Sequence, residues 1–174
     1  MLYEFDGREP VIGDGSYVSE TALVIGDVRI GKTCYIGHGA ILRGDYGTIE
    51  IGDGTAIEEG AVIHAPPAET YSIGQMVTVG HGAILHGKSI GNSAVIGMGC
   101  VLSLWSKVGE YSIIGEGAVV TLKTTIPPRV VAAGNPARVI RDVTPKDEKR
   151  WSLGKQYYID LSKKYLRIGM RRLG

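Results

Sequence analysis

Three of the four histidines in this 174-residue chain, His64, His81 and His86, are the residues best suited to chemistry. Neutral imidazole is a common zinc ligand, and a catalytic zinc typically has three protein ligands and an open position for water. Two segments are near-copies: residues 36–43 read IGHGAILR and residues 79–86 read VGHGAILH. Equivalent positions hold an arginine in one copy and His86 in the other. Whether the three histidines can bind one metal ion depends on where the fold places them.

An aliphatic residue recurs at every sixth position along most of the chain. These positions are Ile12, Val18, Val24, Ile30, Ile36, Leu42, Ile51, Ile57, Ile63, Ile73, Val79, Leu85, Ile90, Ile96, Leu102, Val108, Ile114 and Val120. Six residues suit one short strand and one turn, and the glycine that often follows can supply turn angles that other residues avoid. Three strands close a triangular coil of about eighteen residues, and coils stack about 4.8 Å apart. The pattern predicts a mainly β protein, a parallel β-helix of about six triangular coils.

This hexad pattern resembles the hexapeptide-repeat family, whose β-helix is left-handed and usually trimeric. We expect residues 1–126 to form the left-handed β-helix with an N-terminal lead-in, and residues 127–143 to form a connecting turn segment. Residues 144–174 are expected to form a C-terminal α-helix packed on the β-helix, because a Thr-Pro pair can cap it and aromatic residues recur at helical spacing. The repeat is interrupted at residues 43–50 and 65–72, where we expect loops.

The three strands of a coil, taken in chain order, form the first, second and third faces of the β-helix, so the repeat assigns each histidine to one face. His64 and His86 each follow an inward aliphatic residue on the third face of adjacent coils, so their backbones should lie about 5 Å apart. Arg43 falls in the same column, one coil below His64. His81 lies on the second face, so we expect a neighbouring subunit to supply it. The predicted assembly is a homotrimer with active sites between subunits.

The segments Arg43-Gly44-Asp45, His64 and HGAILHG at 81–87 resemble the γ-class carbonic anhydrases, and the similarity extends over nearly the whole chain. The resemblance implies that His64, His81 and His86 bind Zn²⁺, or Fe²⁺ or Co²⁺, across a trimer interface. It also implies the reversible hydration of CO₂ to bicarbonate, with a metal-bound hydroxide attacking CO₂.

The same resemblance implies further site residues. Arg43 and Asp45 would pair across subunits beside the metal and bind bicarbonate, and Tyr158 would correspond to a helix tyrosine near the site. Two positions depart from the family: Ala56 replaces an asparagine, and Glu58 replaces the glutamine that would orient the hydroxide. Glu58 could act as a general base or could ligate the metal itself. Glu69 is the sole acidic candidate for proton transfer in the segment after His64.

Two alternatives stay open at this point. The same metal-binding trimer could act as a thioesterase, a metal carrier or an accessory protein of the ferripyochelin-binding type. The chain could instead be a hexapeptide acyltransferase that uses acyl-CoA and one histidine as general base, although such an enzyme does not need three converging histidines.

The composition excludes several classes of function. The formal net charge of +1 and the lack of a long apolar segment predict no nucleic-acid partner and no membrane partner. A small-molecule substrate, CO₂ or bicarbonate, is implied by the family resemblance. The N-terminus has acidic residues and no apolar segment of a signal peptide, so a cytoplasmic location is expected. The two cysteines do not suggest a disulfide framework.

Overall fold

The computed structural model describes residues 1–173, which form a parallel β-solenoid followed by one helix. The strands are β1 (Leu2–Tyr3), β2 (Val11–Ile12), β3 (Tyr17–Val18), β4 (Leu23–Ile30), β5 (Tyr35–Ile36), β6 (Ile41–Ile51), β7 (Ala56–Ile57), β8 (Val62–His64), β9 (Thr70–Ile73), β10 (Thr78–Val79), β11 (Ile84–Leu85), β12 (Ser89–Ile90), β13 (Val95–Ile96), β14 (Val101–Leu102), β15 (Lys107–Val108), β16 (Ile113–Ile114), β17 (Val119–Val120), β18 (Thr125–Ile126), β19 (Val130–Ala133) and β20 (Arg138–Asp142). Helix α1 spans Pro145–Ile168.

The hexad columns are confirmed by the strand register. On the third face, Leu42 pairs with Ile63, Ile63 with Leu85, and Leu85 with Leu102, always in parallel. These aliphatic side chains point into the solenoid, where they are almost fully buried. Each coil alone would leave its core half open, so stacking supplies the apolar burial that stabilises the fold.

The glycine that directly follows many of the aliphatic residues has a different role from the one expected. Gly52, for example, has no positive φ, whereas Gly54, two residues later, has φ 66°. A Cβ at Gly52 would lie 2.6 Å from the backbone nitrogen of Gln75 in the next coil. Glycine is therefore required at Gly52 because the next coil approaches its backbone closely, and at Gly54 because the turn needs a positive φ.

The solenoid continues beyond Val120, so the prediction of about six coils is too low and the structure has about seven. Strand β18 pairs with β15, β19 pairs with β16, and β20 returns antiparallel to β19. Residues 127–143 thus contain two strands as well as turns. The extra coil begins with the buried Ile126, which keeps the spacing of six from Val120, but at its next inward position the fully buried Ala132 replaces the aliphatic residue and the pattern ends.

The expected loop at residues 43–50 is also wrong. These residues belong to β6, which pairs with β4 and runs from the third face round to the first. The register shifts between Gly26 and Val28, and this irregularity lets both strands turn the corner without leaving the ladder.

Helix α1 begins with a capping box between Thr144 and Asp147, as the Thr-Pro pair predicted, and ends before Gly169. It packs on the second face, where Tyr165 stacks on Tyr17 with ring centroids 4.5 Å apart. The final residue of the expected 144–174 segment, Gly174, lies outside the described residues. Among residues 1–173, no helix combines the length and apolar character needed to cross a membrane.

Candidate metal centre

The third face brings His64 and His86 side by side. Arg43 pairs in register with His64 across β6 and β8, and His86 directly follows β11, the neighbour of β8. The two imidazole centroids are 4.6 Å apart. The sequence-predicted column of Arg43, His64 and His86 is therefore present.

Both imidazoles present a buried Nε2 atom that makes no hydrogen bond to any of residues 1–173. Burial lowers the pKa of both rings, and the positive charge of Arg43 adds to this effect. For His86 the neighbouring His64 contributes as well. Two neutral, adjacent imidazoles with unpartnered nitrogen atoms are a donor set that fits a divalent transition metal.

Arg43 and Asp45 lie beside this pair. Arg43 Nη1 donates to Asp45 Oδ2 at 2.6 Å, within one chain, although the family resemblance implied a pair between subunits. Burial opposes ionisation of Asp45, but the hydrogen bond and charge of Arg43 prevail and lower its pKa. Asp45 Oδ1 also lies 3.3 Å from His64 Nε2, without the geometry of a hydrogen bond.

Arg43 also fixes the tautomer of His64. Its Nη2 lies 3.2 Å from His64 Nδ1, and a guanidinium can only donate, so Nδ1 accepts and Nε2 carries the ring proton. Ligation of a metal through Nε2 needs the opposite tautomer. This contact must therefore be released before His64 can bind a metal through that atom.

His81 lies on the second face, away from the other two histidines. Its Nδ1 is 2.8 Å from Glu59 Oε2, and its Nε2 is 3.1 Å from Glu58 Oε2. The hydroxyl of Tyr35 donates to the other oxygen of Glu59 at 2.6 Å. Within a single chain, residues 1–173 contain no group of three or more His, Cys, Asp or Glu side chains placed to hold a metal ion.

Glu58 and Tyr158, which the sequence predicted as site residues, lie next to His81. Glu58 is only 6% exposed, and its carboxylate accepts a hydrogen bond from the backbone nitrogen of His81 at 3.2 Å. Burial raises the pKa of Glu58, although Tyr158 and His81 oppose the shift. Burial and the Glu58 charge together raise the pKa of Tyr158. A carboxylate with raised pKa beside an imidazole is suited to accept a proton.

Other residues have clearer structural roles. His38 lies under α1, with Nδ1 2.6 Å from Ser19 Oγ and Nε2 3.3 Å from the Tyr165 hydroxyl. Glu69 forms an ion pair with Lys88 at 2.9 Å. Ala56 is buried and offers no polar atom beside the site. Glu59 and Tyr35 were missed by sequence reasoning; only the position of Glu59, directly after Glu58, could have drawn attention to it.

The chain is similar to curated proteins over most of its length. No family model matches the sequence. The chain is 38% identical over 160 residues to the carnitine operon protein CaiE of Escherichia coli, covering 91% of this chain and 81% of that protein. It is 35% identical over 153 residues to the mitochondrial gamma carbonic anhydrase 1 of Arabidopsis thaliana, covering 84% of this chain. The chain spans only 55% of that plant relative's length.

Two solved structures match the fold of this chain over nearly its whole length. A protein of Bacillus cereus described as a putative acetyltransferase matches with a TM-score of 0.94 and 31% identity, over 97% of this chain and 98% of that one. A hexapeptide transferase family protein of Anaplasma phagocytophilum matches with a TM-score of 0.90 and 33% identity, over 95% and 98% of the two chains. The left-handed β-helix expected from the sequence is thereby confirmed.

Proposed function

Because the chain belongs to the γ-carbonic anhydrase-like family of hexapeptide-repeat proteins, we propose that it hydrates CO₂ to bicarbonate at a metal site shared between subunits of a homotrimer. His64 and His86 of one subunit and His81 of the partner subunit would hold the metal. The observation that carries this proposal is the pair of adjacent, buried Nε2 atoms that make no hydrogen bond within residues 1–173.

The donor set suits Zn²⁺, and Fe²⁺ or Co²⁺ could also bind three imidazoles. When bound, such a metal acts as a Lewis acid that lowers the pKa of water towards neutrality. Burial and Arg43 keep His64 and His86 neutral, which is the form that ligates.

An apolar strip beside the histidine column supports association of subunits. On the outer surface of the third face, aligned in register, lie Ile41, Val62, Ile84, Val101 and Val119. Ile84 is 51% exposed and comes two residues before His86. The other four residues are partly exposed, and a contiguous apolar row of this kind commonly marks a protein–protein interface. A partner covering this strip would bring its own residues to the metal ligands.

The remaining residues have separable roles in this proposal. Arg43 supplies a cation that can bind bicarbonate, and Asp45 holds that guanidinium in place. Glu59, itself held by Tyr35, lies 2.8 Å from His81 Nδ1 and would position the ring, and His81 Nε2 would have to leave Glu58 Oε2, 3.1 Å away, to reach the metal. Glu58 is placed to accept a proton at Oε2, which lies 3.1 Å from His81 Nε2.

Stopped-flow measurement of CO₂ hydration tests this function. Zinc-loaded protein should accelerate hydration, and His86→Ala should abolish the acceleration while the circular dichroism spectrum is unchanged. Acetyl-CoA binding should be absent by calorimetry. A wild-type protein that holds zinc but does not hydrate CO₂ would contradict the proposal, and tight binding of acetyl-CoA would favour an acyltransferase.

A further inference from the structure

A cavity of about 280 Å³ lies between α1 and the second face of the solenoid, and none of the three predicted metal ligands lines it. Val95 of β13 and Ile113 of β16 form part of its wall, and Trp151 of α1 adds aromatic surface. Most of the wall is apolar. Because an apolar cavity of about 150 Å³ can bind benzene, this one has room for a single ring with a polar substituent.

Lys155 brings a positive charge to this apolar wall. The residue is only 5% exposed, and its Nζ donates to the carbonyl oxygen of Ser93, which also lines the cavity, at 3.1 Å. Within residues 1–173 this is the only hydrogen bond of the ammonium group, and no carboxylate oxygen lies within 4 Å of it. Burial lowers the pKa of Lys155 to about 8, so the amine is still mostly protonated at pH 7. A buried cation without a counterion is unfavourable, and an anion placed beside it would relieve that cost.

The acidic residues of the lining do not supply this counterion. Asp147 closes the capping box of α1 and is bound by Arg141 at 2.6 Å. Glu148 is paired with Arg129. Since an arginine already balances each carboxylate, Lys155 is the one charged residue of the described lining that lacks a counterion. The charges around the cavity therefore favour an anionic ligand over a cationic one.

We propose that this cavity binds a small monocarboxylate with an apolar body. The carboxylate pairs with the ammonium group of Lys155 and accepts from its free N–H groups, and the body lies against Ile113 and Trp151. A second charge would have to lie on the apolar wall, so a single carboxylate is expected. The inference is independent of the proposed metal site, because no predicted metal ligand lines this cavity.

Binding is tested with benzoate, which combines one aromatic ring with one carboxylate, by calorimetry on the protein as purified. We expect saturable binding of benzoate. Benzamide has the same shape without the charge, and acetate has the charge without the ring, so each should bind at least tenfold more weakly. Absence of saturable binding of benzoate, or equal affinity for benzamide, overturns the inference.

Two variants test the contacts within the cavity. Lys155→Met removes the charge and keeps an apolar side chain, so affinity for benzoate should fall at least tenfold while that for benzamide changes less than twofold. Ser152→Phe, at an exposed position of the lining, should weaken both ligands because the ring competes for the space. The controls are Lys149→Met and Leu153→Phe, at exposed positions of α1 outside the lining. Wild-type affinity for benzoate in Lys155→Met would overturn the inference.

Two further measurements locate the ligand. In a Trp105→Phe protein, Trp151 is the sole tryptophan, and its fluorescence should change with the same midpoint as the calorimetric titration. His86→Ala should bind benzoate as wild type does. Loss of binding in His86→Ala would place benzoate at the predicted metal site, and unchanged Trp151 fluorescence at saturation would place it elsewhere; either result overturns the inference without bearing on CO₂ hydration.

Discussion

The imidazole rings of His64 and His86 lie 4.6 Å apart on adjacent coils, and each has a buried Nε2 atom that makes no hydrogen bond among residues 1–173, although Asp45 Oδ1 lies 3.3 Å from that of His64. Unpartnered buried nitrogen atoms are unfavourable unless something binds them. The solenoid imposes this relationship, because the register that stacks Ile63 on Leu85 also stacks the residues that follow them. The proposed metal would then need a third ligand from outside the pair.

Arg43 is expected to bind bicarbonate, and its contact with His64 Nδ1 is expected to oppose metal binding. Arg43→Gln removes the cation and the contact with His64 Nδ1, so KM for bicarbonate should rise about tenfold while bound zinc is retained. The initial rate of bicarbonate dehydration and the zinc content of the same samples measure the two effects. Arg29→Gln is the control, since Arg29 pairs with Asp27 and Glu50 away from the histidines. Loss of zinc from Arg43→Gln would show that Arg43 is needed to assemble the site.

Glu59 is expected to position His81. Replacing a carboxylate that orients a metal-binding imidazole typically lowers metal affinity about 10–100-fold, so Glu59→Gln should weaken zinc binding within that range. Tyr35→Phe should have a smaller effect in the same direction, because it removes only the 2.6 Å hydrogen bond that holds Glu59.

Competition with a zinc-binding dye measures these affinities. Tyr157→Phe is the control for Tyr35→Phe, since Tyr157 is 72% exposed on α1. Unchanged zinc affinity in Glu59→Gln would mean that Glu59 does not orient the ligand. A loss in Tyr35→Phe larger than that in Glu59→Gln would assign Tyr35 to the packing of the helix instead.

Lys155 should make stability depend on pH. Burial against the solenoid lowers its pKa from 10.5 to about 8, and its Nζ donates to the carbonyl oxygen of Ser93 at 3.1 Å. Because the unfolded chain holds this proton more tightly, the free energy of unfolding should rise between about pH 8 and 10.5. Below pH 8 the full penalty applies, so Lys155→Met should stabilise the protein there by about 2–3 kcal/mol.

Denaturant unfolding at pH 7, 8, 9 and 10 measures this dependence. The gain with pH should be smaller in Lys155→Met than in wild type. Lys149→Met, at an exposed position of α1, should keep the wild-type slope. An identical slope in wild type and Lys155→Met would show that Lys155 is not the titrating group.

The sequence predicts most of the solenoid because inward positions must be aliphatic and the coil has a fixed length. The columns that place Arg43, His64 and His86 together follow from that repeat alone. Only Ile126 continues the repeat into the seventh coil, since Ala132 fills the next inward position with a small side chain. The strand through residues 43–50 was missed because it turns a corner through an irregular register with β4.

Contacts between distant elements were harder to predict than the columns. Glu59 meets His81 and Tyr35 through side chains from three different coils, and no spacing in the sequence reveals which rotamers they adopt. The cavity beneath α1 depends on the position of the helix over the sheet, which follows from packing of Tyr158 and Tyr165 on the second face. The repeat determines the sheet but not that position.

The shared metal site is tested most directly by mixing two inactive chains. His81→Ala and His64→Ala chains are purified, unfolded and refolded together in equal amounts, and zinc per chain is measured by mass spectrometry beside each variant alone. Each variant alone should lack zinc, and random mixed trimers should regain about one quarter of the wild-type zinc, because one ordered pair of neighbours in four combines intact ligands. Mixed trimers that hold no more zinc than the separate variants would contradict a site built from two subunits.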